Sequence, residues 1–357
     1  MAKAKKKKGS KQPKPKRLNL ALQGGGAHGA FTWGVLDRLL EDGRVDVEAI
    51  SGTSAGAINS VVLVDGFMRG GRDGAREALH AFWEHIAKIG AFSPIQRSPW
   101  DVWQGNFSLD HNPAYLFFDM LTRMASPYDL NPANINPMRD LLESQVDFER
   151  VRCCSEMNVF ISATNVQTGR VKVFTGDEIT ADAVLASSCL PLLFQAVEID
   201  GVPYWDGGYM GNPVLFPFFY HSRSDDILLV QINPMERTET PNTAREILNR
   251  LNEITFNASL NKELRAIEFV SRLIETENLD EDRYKRVRMH MIEADEELSK
   301  LSASSKLNAE WAFLVHLRDI GRLAATDWLA RNFEALGVRS TFDLTEHFRT
   351  TRIEGEV

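Results

Sequence analysis

Residues 47–56 read VEAISGTSAG, and residues 18–29 read LNLALQGGGAHG. In both stretches a short apolar run breaks on glycine and then resumes with helical spacing. Leu18–Gln23 reads as a strand, and Ala27–Glu41 as a helix with Phe31, Val35 and Leu39 on one face. Val47–Ser51 reads as a second strand, and Ala55–Met68 as a second helix through Ile58, Val61, Val62 and Phe67. Strand, glycine turn and helix, repeated twice, predict an α/β fold with a mostly parallel sheet.

The two glycine turns carry the chemistry. Gly52-Thr53-Ser54-Ala55-Gly56 is a G-x-S-x-G pentapeptide whose serine lies 28 residues past Gly26. A strained strand-to-helix turn can hold a serine hydroxyl out as a nucleophile. Gly24-Gly25-Gly26 can offer bare backbone N–H groups to an oxyanion. A competing reading takes Gly24-x-Gly26-x-x-Gly29 as a dinucleotide fingerprint. That fingerprint expects an acid at the end of the second strand, where this chain has Ser51-Gly52-Thr53-Ser54.

A serine needs a base. His221 is the only histidine set where a triad would want one, and it also reads as a surface residue. Asp206, at the end of the Val202–Trp205 run and before Gly207-Gly208, is the better candidate. A carboxylate acts as a base when its surroundings raise its pKa towards the working pH. The same residue can equally start an Asx turn.

Downstream, strands are expected at Asn158–Ala163, Val171–Phe174, Ala196–Ile199, Val202–Trp205 and Ile227–Ile232. From Thr243 to about Leu336 the chain reads as helical, broken by a strand at Val287–Ile292. Residues 92–137 are rich in aromatics, among them Trp100, Trp103, Phe107, Phe117 and Phe118, with several prolines and asparagines and poor periodicity. Ala114–Met124 reads as a short apolar helix. The segment is either ordinary core or a cap over an apolar substrate.

Composition narrows the class. The chain has 357 residues, 43% hydrophobic and 25% charged, ordinary for a globular protein with a sizeable core. Nine of the 41 basic residues fall in residues 1–17, which leaves 32 against 49 acidic ones, a net of −17 for the body. An acidic body argues against nucleic acid as partner. The basic arm reads as a disordered tail that either solubilises the protein or touches an anionic membrane. No stretch approaches the roughly 20 apolar residues of a membrane span. Cys153, Cys154 and Cys189 form no disulfide framework and no zinc spacing, so a reducing, cytoplasmic protein without structural metal is expected.

Three ordered motifs carry a family resemblance: Gly24-Gly25-Gly26-Ala27-His28-Gly29, Gly52-Thr53-Ser54-Ala55-Gly56 and Asp206-Gly207-Gly208. With Ala186–Phe194 and Asn212-Pro213, they make the chain similar to the patatin-like phospholipases, over about Leu18 to Ile232. The resemblance implies a three-layer α/β/α fold and a lipid acyl hydrolase. It implies Ser54 and Asp206 as a dyad, with Gly24, Gly25, Gly26 and Ala55 around the oxyanion, and neither metal nor organic cofactor. A lysophospholipid, glyceride, thioester or storage polyester would suit the same chemistry, and a non-catalytic lipid- or nucleotide-binding protein is the distant alternative. His28 departs from the Arg or Lys usual in the family, which puts in doubt any role for a fixed positive charge beside the loop. The expected organisation is a basic arm at 1–17, a catalytic domain at 18–235 with an aromatic cap at about 92–150, and a helical extension at 236–357. The protein is expected in the cytoplasm, with peripheral contact at a lipid surface.

Overall fold

The computed structural model describes residues 14–237, 239–277 and 284–349. The arm's residues 1–13 thus lie outside the described residues. Eight strands form one sheet: β1 (Lys16–Leu22), β2 (Val45–Gly52), β3 (Asn158–Asn165), β4 (Val171–Thr175), β5 (Val197–Ile199), β6 (Val202–Asp206), β7 (Asp226–Val230) and β8 (Arg288–Ile292). Their order is β5-β6-β3-β2-β1-β7-β8, with β4 also paired to β3. The run β3-β2-β1-β7-β8 is parallel throughout, and β4, β5 and β6 are antiparallel additions.

Both faces of this sheet are buried, which is why its central strands read as unbroken apolar runs. Leu18, Leu20, Leu22, Leu228 and Val230 face one core, while Ala21, Ile227 and Leu229 face a second. Burying each such leucine is worth about 1.5–3 kcal/mol. The first core is covered by α1 (Gly29–Asp42), α2 (Ala55–Gly90) and the helix Trp311–Asn332. The second is covered by the helix Ala244–Glu277 through Leu260, Leu264 and Ile267. The result is the expected three-layer α/β/α arrangement.

Three departures from the sequence reading stand out. β1 begins at Lys16, so the last two arm residues belong to the sheet, and Lys16 Nζ donates to the carbonyls of Phe333, Glu334 and Leu336, each at 3.1 Å. The helix read as Ala55–Met68 does break just beyond, at Gly70-Gly71, where Gly71 takes φ 63°, but a second helical stretch follows at once, so α2 runs on to Gly90. The C-terminal region is helical as expected, but its strand β8 extends the central sheet. Its long helix Trp311–Asn332 presses on α1 backbone to backbone. A Cβ on Gly34 would come within 2.0 Å of the Arg318 carbonyl oxygen, and one on Gly321 within 2.1 Å of that of Phe31.

Residues 92–150 hold short helices and no strand among the described residues. Four of them, Pro99–Trp103, Pro113–Met124, Pro127–Leu130 and Pro137–Gln145, start on proline. The residues before them, Ser98, Asn112, Ser126 and Asn136, cap them with side-chain oxygens. Phe92, Trp103, Phe117 and Met124 are 92%, 75%, 61% and 78% exposed, so this face of the segment is not core. The segment is anchored on α2 by the Arg150–Asp65 ion pair and to Asp182 by Arg139, and it is also tied to two loops. Leu109 N–H donates to Ser304 Oγ and Asn308 Nδ2 to the Phe107 carbonyl, both at 3.0 Å. Gln195 Nε2 donates to the Asn131 carbonyl at 2.7 Å.

Candidate active site

β2 ends at Gly52, and Ser54 takes φ 54°, ψ −121° before α2 starts at Ala55. A non-glycine residue held there costs about 1–3 kcal/mol, which the surroundings must offset. Thr53 N–H donates to the Leu22 carbonyl at 3.2 Å, and Gly56 N–H to the Thr53 carbonyl at 2.7 Å. Ser54 N–H donates to Ser187 Oγ at 2.8 Å, and the Thr53 hydroxyl to the Gly211 carbonyl at 2.6 Å. Gly56 is required by packing, since a Cβ there would stand 2.2 Å from the Leu22 carbonyl oxygen. Ser54 is 8% exposed.

The glycine turn after β1 packs directly on this elbow. A Cβ on Gly24 would fall 2.6 Å from Ser54 Cβ. Buried amides hold the turn in place. Gly24 N–H donates to Asn212 Oδ1 at 2.7 Å, and the Gly24 carbonyl accepts from Asn233 Nδ2 at 2.8 Å. Gln23 Oε1 accepts from the backbone N–H of Ile232 at 2.8 Å and of Asn233 at 2.9 Å. The Gly24 N–H, counted among the oxyanion donors from sequence, is therefore already engaged. Gly25, Gly26 and Ala55 N–H meet no acceptor among the described residues. Ala55 opens α2, so its N–H belongs to the electropositive end of a helix.

Asp206 reaches the elbow through sheet register. β4 takes one edge of β3 from Phe160 to Thr164. The other edge is shared: β2 pairs up to Gly52↔Ile161, and β6 then pairs from Ala163↔Asp206. One residue of β3, Ser162, thus separates the partner of Gly52 from the partner of Asp206, and Ser54 turns out of the sheet just there. Asp206 Oδ1 accepts from Gly208 N–H at 2.7 Å, and the Asp206 N–H donates to the Cys189 carbonyl at 2.8 Å. Oδ2 is buried without a hydrogen-bond partner, as is Asn212 Nδ2.

Burial pushes the Asp206 carboxyl up to about 7, against the opposing pull of the Gly208 N–H, the Ser54 hydroxyl and the Lys306 charge. Ser54 is near enough to act on the carboxylate, although the pair falls short of a formed hydrogen bond. Catalytic hydrogen bonds are commonly loose before substrate binds.

The histidines fall elsewhere. His221 is exposed, and its carbonyl accepts from Asn158 Nδ2 at 3.1 Å, at the end of the sheet opposite Ser54. His28 is buried, with Nε2 2.8 Å from Ser305 Oγ. Burial, helped by Lys306, pushes its pKa down to about 3, so it is neutral at physiological pH. Asn212, Asn233 and Lys306 were not singled out from sequence as site residues. Asn212 and Asn233 each precede a proline near a strand or motif, which is a faint signal. Lys306 has none.

No group of three or more His, Cys, Asp or Glu among the described residues is placed to hold a metal ion. A cavity of about 1320 Å3 lies at the opposite ends of β7 and β8, lined by residues such as Lys285 and Arg288, and shares nothing with Ser54 or Asp206.

A family model for patatin-like phospholipases matches residues 20–219, more than half of the chain. The chain belongs to the patatin-like phospholipase family. No curated protein matches it in sequence. Among solved structures, VipD from Legionella pneumophila is similar at 15% identity and a TM-score of 0.35, over 85% of this chain and 67% of that one. ExoU, in its heterodimeric complex with SpcU from the type III secretion system of Pseudomonas aeruginosa, is similar at 18% identity and a TM-score of 0.30, over 94% of this chain and 65% of that one. In another ExoU structure the match covers 85% of this chain and 54% of that one.

Proposed function

We propose that the protein hydrolyses carboxylic esters of lipids through a Ser54–Asp206 dyad. Family membership supports lipid hydrolysis as the class of activity. The observation that carries the dyad is the handover on β3, where β2 and β6 share one edge and so bring the strained serine and the buried carboxylate to one point. Buried atoms left unpartnered, here Asp206 Oδ2 and Asn212 Nδ2, are rare and call for an explanation such as a catalytic role.

In the proposed reaction, Ser54 Oγ attacks the acyl carbonyl and its proton passes to Asp206. The N–H groups of Gly25, Gly26 and Ala55 stabilise the oxyanion. The intermediate collapses to an acyl-enzyme, and the departing alkoxide takes the proton from Asp206. Water then attacks the acyl-enzyme, gives its proton to Asp206, and the proton returns to Ser54 as the acid leaves. A fluorophosphonate probe tests the reading. It should label Ser54 in the wild-type protein, and an unlabelled, folded protein would point to a binding module. A panel of phospholipid, lysophospholipid, glyceride, thioester and polyester substrates then ranks the acyl donors.

The exposed aromatic segment fits a cap that meets acyl chains, since it is tied to the loops at 187–196 and 302–310 that flank the site. Replacing Phe117 and Phe118 by serine should lower kcat/KM on long-chain esters about tenfold and leave short-chain esters nearly unchanged, given about 1.5–3 kcal/mol for a fully buried apolar side chain. Equal losses on both, with a lower melting temperature, would assign these residues to packing.

The basic arm fits contact with anionic lipid. Deleting residues 2–13 stops short of Lys16, which the fold uses. The deletion should weaken binding to anionic vesicles at low salt, and the difference should fade as screening shortens to about 10 Å at 0.1 M. Unaltered vesicle binding at low salt would leave the arm without a membrane role. Among the described residues, no helix is long and apolar enough to cross a membrane.

A further inference from the structure

We propose that Lys306, carried on the C-terminal segment, is the cation of this site: a positioning residue that braces the glycine turn through Asn233 and whose charge favours an anionic oxygen over that turn. The proposal rests on the dyad reading above.

Lys306 lies in a single-turn segment, Ala303–Leu307, that packs on the glycine turn. Its carbonyl oxygen stands 2.5 Å from where a Cβ on Gly26 would be, so Gly26 at φ 59° is the residue that lets the two backbones meet. Ser305 binds His28 from the same segment. The Lys306 ammonium donates to Asn233 Oδ1 at 2.7 Å, and Asn233 Nδ2 donates to the Gly24 carbonyl at 2.8 Å. Two hydrogen bonds therefore link the charge to the backbone beside Ser54. The ammonium also lies 5.9 Å from the ring of Phe256, whose edge covers Gly208 next to Asp206.

The charges around it leave this cation unspent. Among the described residues Lys306 makes no ion pair, and neighbouring Glu253 is already held by Arg237 and Arg250. A partly buried ammonium without an ionic partner is costly. Burial pulls its pKa down, while Glu253 and Asp206 oppose the fall and Arg237 adds to it. His28, the other basic group at the glycine turn, is neutral. Asp206 also acts on Cys189 and Tyr209, both pushed up to about 12, chiefly by burial, and so uncharged near neutrality. Lys306 is thus a positive charge that acts both on His28 in the glycine turn and on Asp206.

The test uses the full chain with Lys306→Met and Lys306→Arg, a short uncharged p-nitrophenyl ester, and fluorophosphonate labelling. Lys306→Met should lower kcat and the labelling rate about tenfold or more, part of the 10²–10³-fold seen when a direct oxyanion donor is lost. KM should stay within about threefold. The acid limb of the pH profile should move to higher pH, because a charge that holds the Asp206 pKa down is gone. Lys306→Arg should restore most of the rate and return the limb. A Lys306→Met protein with wild-type labelling rate and an unmoved limb would overturn the proposal and leave the dyad standing. So would a lowered melting temperature and equal losses in both variants with the limb unmoved, which mark packing alone. A wild-type protein that is not labelled at Ser54 removes both readings.

Discussion

Ser54→Ala should abolish ester hydrolysis while the protein stays folded. In a serine hydrolase the loss of the nucleophile costs on the order of 10⁶-fold in kcat. The expected structural cost is small. The Ser54 N–H, which donates to Ser187 Oγ at 2.8 Å, is retained by alanine, and so is the close contact of its Cβ with Gly24. The assay pairs p-nitrophenyl ester turnover with a melting curve. Near-wild-type turnover in a folded Ser54→Ala protein would sink the dyad outright.

Asp206→Asn should lower kcat by about 10²–10⁴-fold, the usual effect of removing a general base. In the wild type, activity should rise as pH passes through about 7, since the carboxylate form accepts the serine proton and burial holds that group up to about 7. The asparagine variant should lose this limb. Stability gives an independent reading. The folded-state pKa lies above the unfolded one, so the folded state binds the proton more tightly. That contribution is fully present below about pH 4, the ordinary range of an aspartate. It is lost as pH rises to about 7, where the buried group ionises. Asp206→Asn should accordingly melt higher than wild type at pH 8, with the gain shrinking towards pH 5, as expected where a site trades stability for function. His221→Ala, altering an exposed residue at the far end of the sheet, should stay within about threefold of wild type. The reverse ranking of these two variants would favour a histidine-based triad.

Much of this architecture was legible because the signals are local. Apolar runs closed by glycine located β1, β2 and the turns beyond them, and the runs Ala196–Ile199 and Val202–Trp205 located β5 and β6. Harder features depend on partners far along the chain. Nothing in residues 158–165 announces that one edge of β3 serves two strands, yet that register brings Ser54 and Asp206 together. Lys306 sits in a short polar turn, and the role proposed for it arises only from its meeting Gly26 and Asn233. In residues 92–150 periodicity located only the helix ending at Met124, and for another reason. Helices of 4 to 12 residues show too few turns for an apolar stripe, and the Ser-Pro and Asn-Pro pairs that start them read as loop signals.

The strand order has a consequence for dissecting the molecule. The three motifs all fall within residues 20–219, yet β7 and β8, which extend the sheet on the side of β1 away from β2, come later. A chain severed after Phe219 would keep every motif. It would also expose the backbone donors and acceptors of Asn19–Leu22 along one side, on a strand whose leucines are wholly buried in the intact molecule. A bare apolar edge of that kind invites self-association. The motif-bearing stretch thus leaves out the strand that covers β1, and the chain beyond Phe219 is what keeps that central strand from being sticky.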